Sequence, residues 1–538
     1  MVGGLVAGAV AGHALARTVP VGVASTTLSL AAACEGAWPM YQHDPNHSAD
    51  GSSCSAVDMT TVSALHPKWF VPTAGQVSAT PSVLDGTVYV GDGKGVVYAI
   101  DQASGGIRWT FDVTSPYSCA NGASGKDAHH GTAYGKITST AAVSGSAMYV
   151  GGGGTLFALS TDPSAPQRCL WAHDLDPRNP TSPMEVESSP VIDPGTNAVI
   201  VGSDVNEAGG SGVGRPGVQA FDAATGLFRW KFQPEDLANP TDLNSSNSDG
   251  CGSVWGSPAL DTTSLAAGSD GLVFFGTGNC DHPDRQTGGE LKWEGAWAID
   301  ATTGHLVWNL QEPPNAYNNQ SNSSRADDDI GSSPIVAHPD PSRDLAIFAS
   351  KTGYAYGLDE ATGAKMWQIQ AAQPGNLGQG VAAFGGFIGS GALGMSNGTP
   401  AVFLTSAIFT PFSSDGIQPQ VPPLSPDASI VNDPLRLASL HAISALDGTE
   451  LWHAALSTPT YAAATYANGV VFAPSTTGFA AEAFSADTGA QIWRFPTAAP
   501  ESSGVSMAGS DVFFGSGTDV AAPTVGVWAL TTRPPALR

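Results

Sequence analysis

The sequence is poor in basic residues, and this shortage limits the partners that the chain can have. Lysine and arginine together number 21 against 47 aspartates and glutamates, which gives a net charge of −26 at pH 7. A surface of this sign repels phosphate backbones and anionic lipid headgroups. We therefore expect no nucleic acid partner. The excess of acid is typical of a protein that is soluble outside the cell, and affinity for divalent cations is the alternative explanation.

Cysteine is also scarce, and the six cysteines lack the spacings of several well-known sites. The chain has no C-x-x-C pair, which argues against a zinc ribbon or a thioredoxin-like motif, and no C-x-x-C-H, the attachment sequence of haem c. An even number of cysteines suggests disulfides in an exported protein. Pairing of neighbours along the chain is one of several possible connectivities, and it would join Cys34 to Cys54, Cys119 to Cys169 and Cys251 to Cys280.

Long apolar runs are missing beyond the N-terminal region, so we expect no integral membrane span there. Residues 1–33 are small and apolar and contain no acidic residue. Arg17, followed by an apolar stretch that ends in small residues, is typical of an export signal. We predict that residues 1–33 direct export, to a secreted or periplasmic location, and that residues 38–538 form the folded domain. The sequence LAAAC at 30–34 also suggests a lipoprotein site, but Ala31 stands where an aliphatic residue is usual.

Runs suited to long helices are scarce, whereas glycine (65) and proline (39) are abundant, which favours an all-β protein with many turns. One segment recurs along the chain: YAIDQASGGIRW, QAFDAATGLFRW, WAIDATTGHLVW and YGLDEATGAKMW are its clearest copies. In each copy a strand leads to a turn whose glycine can adopt positive φ, and a second strand ends in tryptophan. Two further strands precede most copies, beginning near an S-x-P-type sequence. Four strands per repeat are typical of a propeller blade.

The closing tryptophans count the blades. The C-terminal repeat has three strands and no final tryptophan strand, while the tryptophan strand around "LHPKWFV" has no blade before it. The two pieces complete one blade, and this closure removes exposed sheet edges. We therefore predict an all-β, eight-bladed β-propeller of four-stranded antiparallel blades, with the last blade closed by the N-terminal strand. The closing tryptophans are Trp69, Trp109, Trp171, Trp230, Trp308, Trp367, Trp452 and Trp493.

The A-x-D-x-x-T-G-x-x-x-W repeat resembles that of the quinoprotein alcohol dehydrogenases, eight-bladed enzymes that hold pyrroloquinoline quinone (PQQ) on the propeller axis. Noncatalytic outer-membrane assembly propellers share the repeat, so four other stretches are more telling. They are CGSVWGSPALD (251–261), LVFFGTGNC (272–280), IVGSDVNEAGGSGVGRPGVQAFD (200–222) and the segment from DDDIGSSPIV to FASKTGYAYGLD (327–359). The pattern resembles most closely the polyvinyl-alcohol dehydrogenase branch.

The resemblance implies a role for one residue in each stretch. Trp255 matches the tryptophan that lies flat beneath the quinone, and Asn279 and Glu207 match ligands of a calcium ion. Asp329 matches the catalytic aspartate, which takes the proton of the alcohol and can also bind calcium, and Lys351 matches the basic residue beside the quinone carbonyls. For Asn279 we expect a sharp turn through Gly276 and Gly278 that ends a short strand; a simple turn cap is the alternative.

Several positions depart from the family pattern. The adjacent cysteine pair of typical family members is absent. Asp204 occupies the place of a serine that binds a quinone carboxylate, and an acid there repels the cofactor unless metal offsets its charge. Lys136 is the candidate partner of a quinone carboxylate in place of the family's arginine. Asp327 and Asp328 adjoin Asp329 and are alternatives for its role.

Together these residues predict PQQ- and Ca²⁺-dependent oxidation of an alcohol, including secondary or polymeric alcohols of the polyvinyl-alcohol type. Calcium favours oxygen ligands and acts as a Lewis acid, and the quinone carries the redox step. Because no haem motif is present, electrons would pass to an external acceptor such as a cytochrome c. The alternatives are a noncatalytic propeller that binds protein or polysaccharide, and a metal-dependent hydrolase or lyase, for which no Ser–His–Asp signature is found.

Overall fold

The structure is a computed structural model. It describes residues 37–127, 137–175, 184–205, 216–234, 251–261, 271–280, 295–311, 329–372, 386–407, 438–476, 478–517 and 524–534. Within these ranges the chain is all-β, apart from one 3₁₀ turn, Val62–Ala64. No helix among the described residues is long and apolar enough to cross a bilayer.

Most strands form eight antiparallel blades, in which strands that follow one another along the chain pair, except where the N-terminal strand joins the last blade. The first strands of most neighbouring blades contact one another, so they surround the propeller axis. The predicted architecture is confirmed. Blades 1 to 4 contain β2 (Ser82–Leu84), β3 (Thr87–Gly91), β4 (Val96–Asp101) and β5 (Ile107–Asp112); β8 (Ala142–Ser144), β9 (Ala147–Gly152), β10 (Thr155–Ser160) and β11 (Cys169–Asp174); β13 (Val191–Asp193), β14 (Ala198–Val205), β15 (Gly217–Asp222) and β16 (Phe228–Phe232); and β18 (Ala259–Asp261), β19 (Leu272–Cys280), β20 (Gly295–Asp300) and β21 (Leu306–Leu310).

The remaining blades complete the ring. In blade 8 the N-terminal strand, His66–Pro72, pairs with the last strand, Gly526–Thr531, and so supplies the outer edge of the blade, as predicted. Blades 5 to 8 contain β22 (Ile335–Asp340), β23 (Arg343–Ala349), β24 (Tyr354–Asp359) and β25 (Lys365–Gln370); β26 (Ala392–Ser396), β27 (Thr399–Thr405), β28 (Ser439–Ser444) and β29 (Glu450–Ala455); β30 (Thr465–Ala467), β31 (Val470–Phe472), β32 (Ala480–Ser485) and β33 (Gln491–Pro496); and β34 (Ser506–Ala508), β35 (Asp511–Ser516), β36 (Gly526–Thr531) and β1 (His66–Pro72).

Four short strands lie outside this scheme. β12 (Met184–Glu185) and β17 (Cys251–Ser253) pair with the ends of β14 and β19 and so lengthen blades 3 and 4. β6 (Tyr117–Ser118) and β7 (Ser124–Gly125) form a separate two-stranded sheet.

The repeat sequence is explained by contacts between successive blades. The indole N–H of Trp308 donates to the carbonyl of Glu360 in the next blade at 2.7 Å, and Gly363, the turn glycine of that blade, lies against the Trp308 ring. Gly363 has φ +69°, and a Cβ on it would meet the ring at 2.6 Å. The turn therefore needs glycine for its backbone conformation and for the tryptophan packing. In blade 2, where the turn is lengthened, the guanidinium of Arg168 stacks on Trp109 instead, 4.2 Å from the ring centroid.

One disulfide of the predicted set is confirmed among the described side chains. Cys119 and Cys169 are bonded, and they link the segment after blade 1 to the outer strand of blade 2. Cys54 is also disulfide-bonded. Cys251 and Cys280 face each other as register partners in β17 and β19, but their side chains lie outside the described part of the structure, as does Cys34. Their pairing therefore remains a prediction.

Residues 38–51 cross the inner edges of the blades, and we call this segment the N-terminal strap. Trp38 in the strap forms two main-chain hydrogen bonds with Val83, which lies in the inner strand of blade 1. Inner strands would otherwise present unpaired N–H groups to the axis. Five more inner-strand N–H groups donate to strap carbonyls, at 2.7–3.0 Å; their residues are Val143, Leu260, Val336, Leu393 and Tyr466.

Candidate cofactor-binding site

Asp329 and Lys351 meet at the axial end of blade 5. Asp329 precedes β22 and Lys351 follows β23, so the antiparallel pairing of these strands brings both residues to the same end of the blade. The Lys351 ammonium donates to Oδ2 of Asp329 at 2.6 Å, and the Lys351 main-chain N–H donates to the Asp329 carbonyl at 2.9 Å. The side chain of Lys351 is 8% exposed and that of Asp329 is 2% exposed. The carboxylate is thus held by a buried, charge-assisted hydrogen bond.

Trp255 adjoins this pair from blade 4, in the segment before β18. The Lys351 ammonium lies 5.1 Å from the centroid of its ring, within the range of a cation–π contact. The indole is only half-buried, in contrast to most of the core around it. The structure therefore brings an indole, an ammonium group and a carboxylate into one cluster. The roles that the family resemblance implies for these three residues stay predictions.

Gly276 and Gly278 in LVFFGTGNC are required for close packing and not for the turn that we expected. The predicted sharp turn is wrong, because β19 continues as a strand through Leu272–Cys280 and neither Gly276 nor Gly278 has positive φ. Instead, both glycines admit the chain of blade 5: a Cβ on Gly276 would lie 2.0 Å from the Ile330 carbonyl oxygen, and one on Gly278 would lie 2.3 Å from Cγ of Asp329. Side chains are missing here because the catalytic candidate packs directly on the strand.

Hydroxyl side chains that precede the inner strands form a ring of hydrogen bonds from blade to blade. The main-chain N–H two residues before an inner strand donates to the side-chain hydroxyl at the equivalent position of the next blade, at 2.8–3.0 Å. Five such bonds connect blades 1 to 6. This hydroxyl ring consists of Thr80, Thr140, Ser189, Ser257, Ser333 and Ser390. Sequence reasoning missed the ring, although its signal was present as the Ser or Thr of the S-x-P-type motif before several first strands.

An axial cavity of about 160 Å³ lies within the ring and is bordered by Trp255. All eight blades contribute to its lining, and the strap contributes Tyr41, whose hydroxyl donates to Ser390 at 2.8 Å. Tyr461 of blade 7 also lines it, and burial raises the pKa of that phenol while the nearby Lys351 charge opposes the shift. The lining is rich in hydroxyl groups and contains the carboxylate of Glu187, so the cavity is polar.

Asp204 is buried near the end of β14, where its backbone is the register partner of Glu185 in β12. Asp204 thus belongs to blade 3, and its contact with a quinone carboxylate stays a prediction.

The other predicted site residues lie outside the described part of the structure. They are Lys136, Glu207 and the alternatives Asp327 and Asp328. For Asn279 only the backbone is described, and it follows Gly278, the residue that lies against Asp329. Their roles in metal and cofactor binding therefore remain predictions.

Comparison with known proteins agrees with this architecture. The family described as "Glucose/ethanol/alcohol dehydrogenase, beta-propeller domain" matches residues 38–375. The chain belongs to this PQQ-dependent, alcohol dehydrogenase-like β-propeller family. A second family, described as "Outer membrane protein assembly factor BamB", matches residues 420–531, which contain none of the predicted site residues.

Curated relatives support the same assignment over part of their length. The chain is 27% identical over 329 residues to lupanine 17-hydroxylase [cytochrome c] of Pseudomonas sp, covering 58% of this chain and 44% of that protein. It is 27% identical over 341 residues to quinohemoprotein alcohol dehydrogenase ADH IIB of Pseudomonas putida, again covering 58% and 44%. A polyvinylalcohol dehydrogenase of Sphingopyxis sp. is 28% identical over 184 residues, which is 30% of this chain and 26% of that protein. The chain thus matches less than half the length of these relatives.

Solved structures share the fold. The quinohemoprotein alcohol dehydrogenase of Comamonas testosteroni superposes with a TM-score of 0.69 at 19% identity, covering 96% of this chain and 84% of the other. A europium-containing methanol dehydrogenase superposes with a TM-score of 0.68 at 17% identity, covering 92% and 98%. At these identities the similarity establishes the propeller fold alone.

Proposed function

We propose that this protein oxidises an alcohol with PQQ and Ca²⁺ bound at the axial end of blades 3 to 5. The observation that supports it best is the cluster of Asp329, Lys351 and Trp255, which unites three of the predicted groups on the axis of a propeller of this family. When bound, PQQ supplies the two-electron acceptor, and the metal ion polarises its reactive carbonyl.

The described residues fit such a group. A flat, anionic quinone needs an apolar surface, a cation near its oxygens and oxygen ligands for its metal. The half-buried Trp255 ring offers the surface, the Lys351 ammonium offers the cation, and the Asp329 carboxylate offers oxygen. Glu207 and Asn279 would complete the ligand set for Ca²⁺, and Lys136 would pair with a quinone carboxylate. Asp204 would lie near that carboxylate, with the metal offsetting its charge.

The chain's own residues would handle the proton of the alcohol. Asp329 is the candidate general base, because its carboxylate would accept the hydroxyl proton of an alcohol that the bound cofactor oxidises. Lys351 orients this carboxylate through the 2.6 Å hydrogen bond and would stabilise negative charge that develops on the cofactor oxygens. The packing of Asp329 on Gly278 of β19 fixes the position of its carboxyl group and leaves little freedom for reorientation.

The substrate class, the acceptor and the location are part of the same proposal. The similarity to a polyvinylalcohol dehydrogenase favours secondary or polymeric alcohols. An external acceptor such as a cytochrome c fits the absence of C-x-x-C-H from the sequence. Residues 1–33 would direct export, which N-terminal sequencing of the protein recovered outside the cytoplasm would test.

Reconstitution tests the central claim. Purified protein is mixed with PQQ and Ca²⁺, and dye reduction is followed with primary, secondary and polymeric alcohols. We expect turnover that requires both additions. Asp329→Asn should lower kcat by about 10²–10⁴-fold, as expected for loss of a general base, while PQQ binding is largely retained. Folded protein that neither perturbs the PQQ spectrum nor turns over would instead favour the noncatalytic propeller. If Asp327→Asn abolishes turnover and Asp329→Asn does not, the base is Asp327.

A further inference from the structure

A second group of ligand-type side chains lies at the junction of blades 4 and 5, away from Asp329. Asp261 ends the inner strand β18, His338 lies in the inner strand β22, and Glu360 follows β24. Asp329 precedes β22, whereas these three residues lie towards the hairpin connections at the other end of the two blades. The cluster is therefore separate from the candidate cofactor site.

Its geometry is that of a small metal site. One carboxylate oxygen each of Asp261 and Glu360 and one ring nitrogen of His338 all lie within 4.8 Å of one another. Ligands at about 2.1 Å from a tetrahedral metal are about 3.4 Å apart, so modest side-chain rotations would bring the three atoms to bonding distance. Asp261 and Glu360 are 0% and 1% exposed as residues. Two buried carboxylates this close repel each other unless a cation or a shared proton offsets their charge.

The orientation of His338 is an independent observation that favours the cation. Its Nδ1 lies 2.9 Å from Oδ1 of Asp344, and because a carboxylate only accepts, Nδ1 carries the proton of that bond. In the neutral imidazole, Nε2 is then the lone-pair atom, and it is the nitrogen that faces Asp261, 3.9 Å from Oδ1. A histidine whose second nitrogen donates to a carboxylate is the usual arrangement at metal sites in proteins.

We propose that Asp261, Glu360 and Nε2 of His338 bind a divalent transition-metal ion such as Zn²⁺ or Mn²⁺. An imidazole ligand disfavours Ca²⁺ and Mg²⁺, which prefer oxygen ligands alone, and so separates this site from the proposed axial calcium site. The His338 side chain is 34% exposed, so solvent can enter and water can complete the coordination. Such an ion would join the inner strands of blades 4 and 5, the two blades that supply Trp255, Asp329 and Lys351.

Metal titration of the whole protein tests the proposal. Protein dialysed against EDTA is titrated with ZnCl₂ and separately with MnCl₂ by calorimetry, and the melting temperature is recorded at saturation. We expect one equivalent of tight binding that raises the melting temperature. His338→Gln should weaken this binding by at least about 100-fold, and Asp344→Asn by about 10–100-fold because it removes the hydrogen bond to Nδ1. Both substituted side chains are partly exposed, so the fold should survive their replacement.

Two control variants locate the site. His305→Gln replaces an exposed histidine in the turn of blade 4, and Asp329→Asn changes the axial site; both should keep the tight equivalent. The proposal is overturned if the wild type binds no equivalent of Zn²⁺ or Mn²⁺, or if His338→Gln binds them as the wild type does. Loss of binding in Asp329→Asn with retention in His338→Gln would also overturn it, since the metal would then be axial.

Discussion

Gly278 lies directly against the carboxyl group of Asp329: a Cβ at this position would be 2.3 Å from Cγ and 2.5 Å from Oδ1. The contact joins β19 of blade 4 to the segment before β22 of blade 5, and it adds a steric restraint on Asp329 to the hydrogen bond from Lys351. A methyl group here must displace Asp329, because the strand backbone on the other side is held by its ladder bonds with β17 and β20.

We therefore predict that Gly278→Ala lowers kcat/KM of the reconstituted protein by about 100-fold, since a shift of about 1 Å in a positioned group can have this effect. The measurement is dye reduction with saturating PQQ and Ca²⁺. Gly106→Ala is the matched control, because its Cβ would meet only the hydroxyl of Ser104, at 3.3 Å, on an exposed turn. Equal activity of the two variants would show that the position of Asp329 does not matter.

The buried pair itself gives a prediction about stability. Lys351→Met removes the ammonium from a carboxylate that is 2% exposed, and breaking a buried pair from one side costs about 3–5 kcal/mol of unfolding free energy. The double variant Asp329→Asn/Lys351→Met should lose less than Lys351→Met alone, because no buried charge remains. Denaturant unfolding of the three proteins measures this difference.

A surface pair provides the comparison. A guanidinium nitrogen of Arg108 lies 2.6 Å from Oδ2 of Asp101, but the two side chains are 34% and 29% exposed. Arg108→Met should therefore lower the unfolding free energy by only about 0.5 kcal/mol. If Lys351→Met is equally mild, or if the double variant is the least stable of the series, the pair does not have the buried character described above.

The hydroxyl ring gives a second prediction about stability. Ser333 accepts a hydrogen bond from the Ser257 N–H at 2.8 Å, and both residues are buried. Ser333→Ala leaves that N–H without its acceptor, which should lower the unfolding free energy by about 1–3 kcal/mol. Ser342→Ala, which removes an exposed hydroxyl on Asp340, should stay within about 0.5 kcal/mol. Similar losses in the two variants would mean that the ring does not stabilise the propeller.

The fold was predictable because each blade repeats one local rule. The turn glycine and the closing tryptophan recur at fixed spacing, and their contact across blades, as between Gly363 and Trp308, is set by that spacing alone. The blade count and the closure by β1 follow from it. The cluster of Asp329, Lys351 and Trp255 was predicted by family resemblance, and the structure explains it through the common axial end of blades 4 and 5.

Other features were hidden because they depend on contacts that no local pattern encodes. The expected turn at Gly276 and Gly278 was wrong, since a glycine required by a neighbouring chain looks the same in a sequence as one required by positive φ. The N-terminal strap has no repeat and no strand pattern, and its carbonyls find partners only after the inner strands have formed a ring. The cluster of Asp261, His338 and Glu360 draws on residues of two blades that lie far apart in the sequence, so no local pattern announces it.

The strap contains a buried histidine that should make the propeller sensitive to acid. His47 is 2% exposed, its Nδ1 lies 3.2 Å from the Pro334 carbonyl, and burial lowers its pKa from 6.5 to about 4. Between these values the unfolded chain binds a proton that the folded chain does not, so stability falls as pH falls from 6.5 towards 4. One pKa unit corresponds to about 1.4 kcal/mol, so the loss from this group approaches about 3 kcal/mol at pH 4.

His47→Gln should therefore flatten the dependence of unfolding free energy on pH between 7 and 4, whatever it costs in packing at neutral pH. The experiment is denaturant unfolding of the wild type and the variant at several pH values in this range. His305→Gln removes an exposed histidine and should keep the wild-type slope, because the carboxylates that contribute to acid sensitivity are common to all three proteins. Parallel curves for His47→Gln and the wild type would mean that His47 binds its proton equally well in the folded and the unfolded chain, and burial would then not lower its pKa.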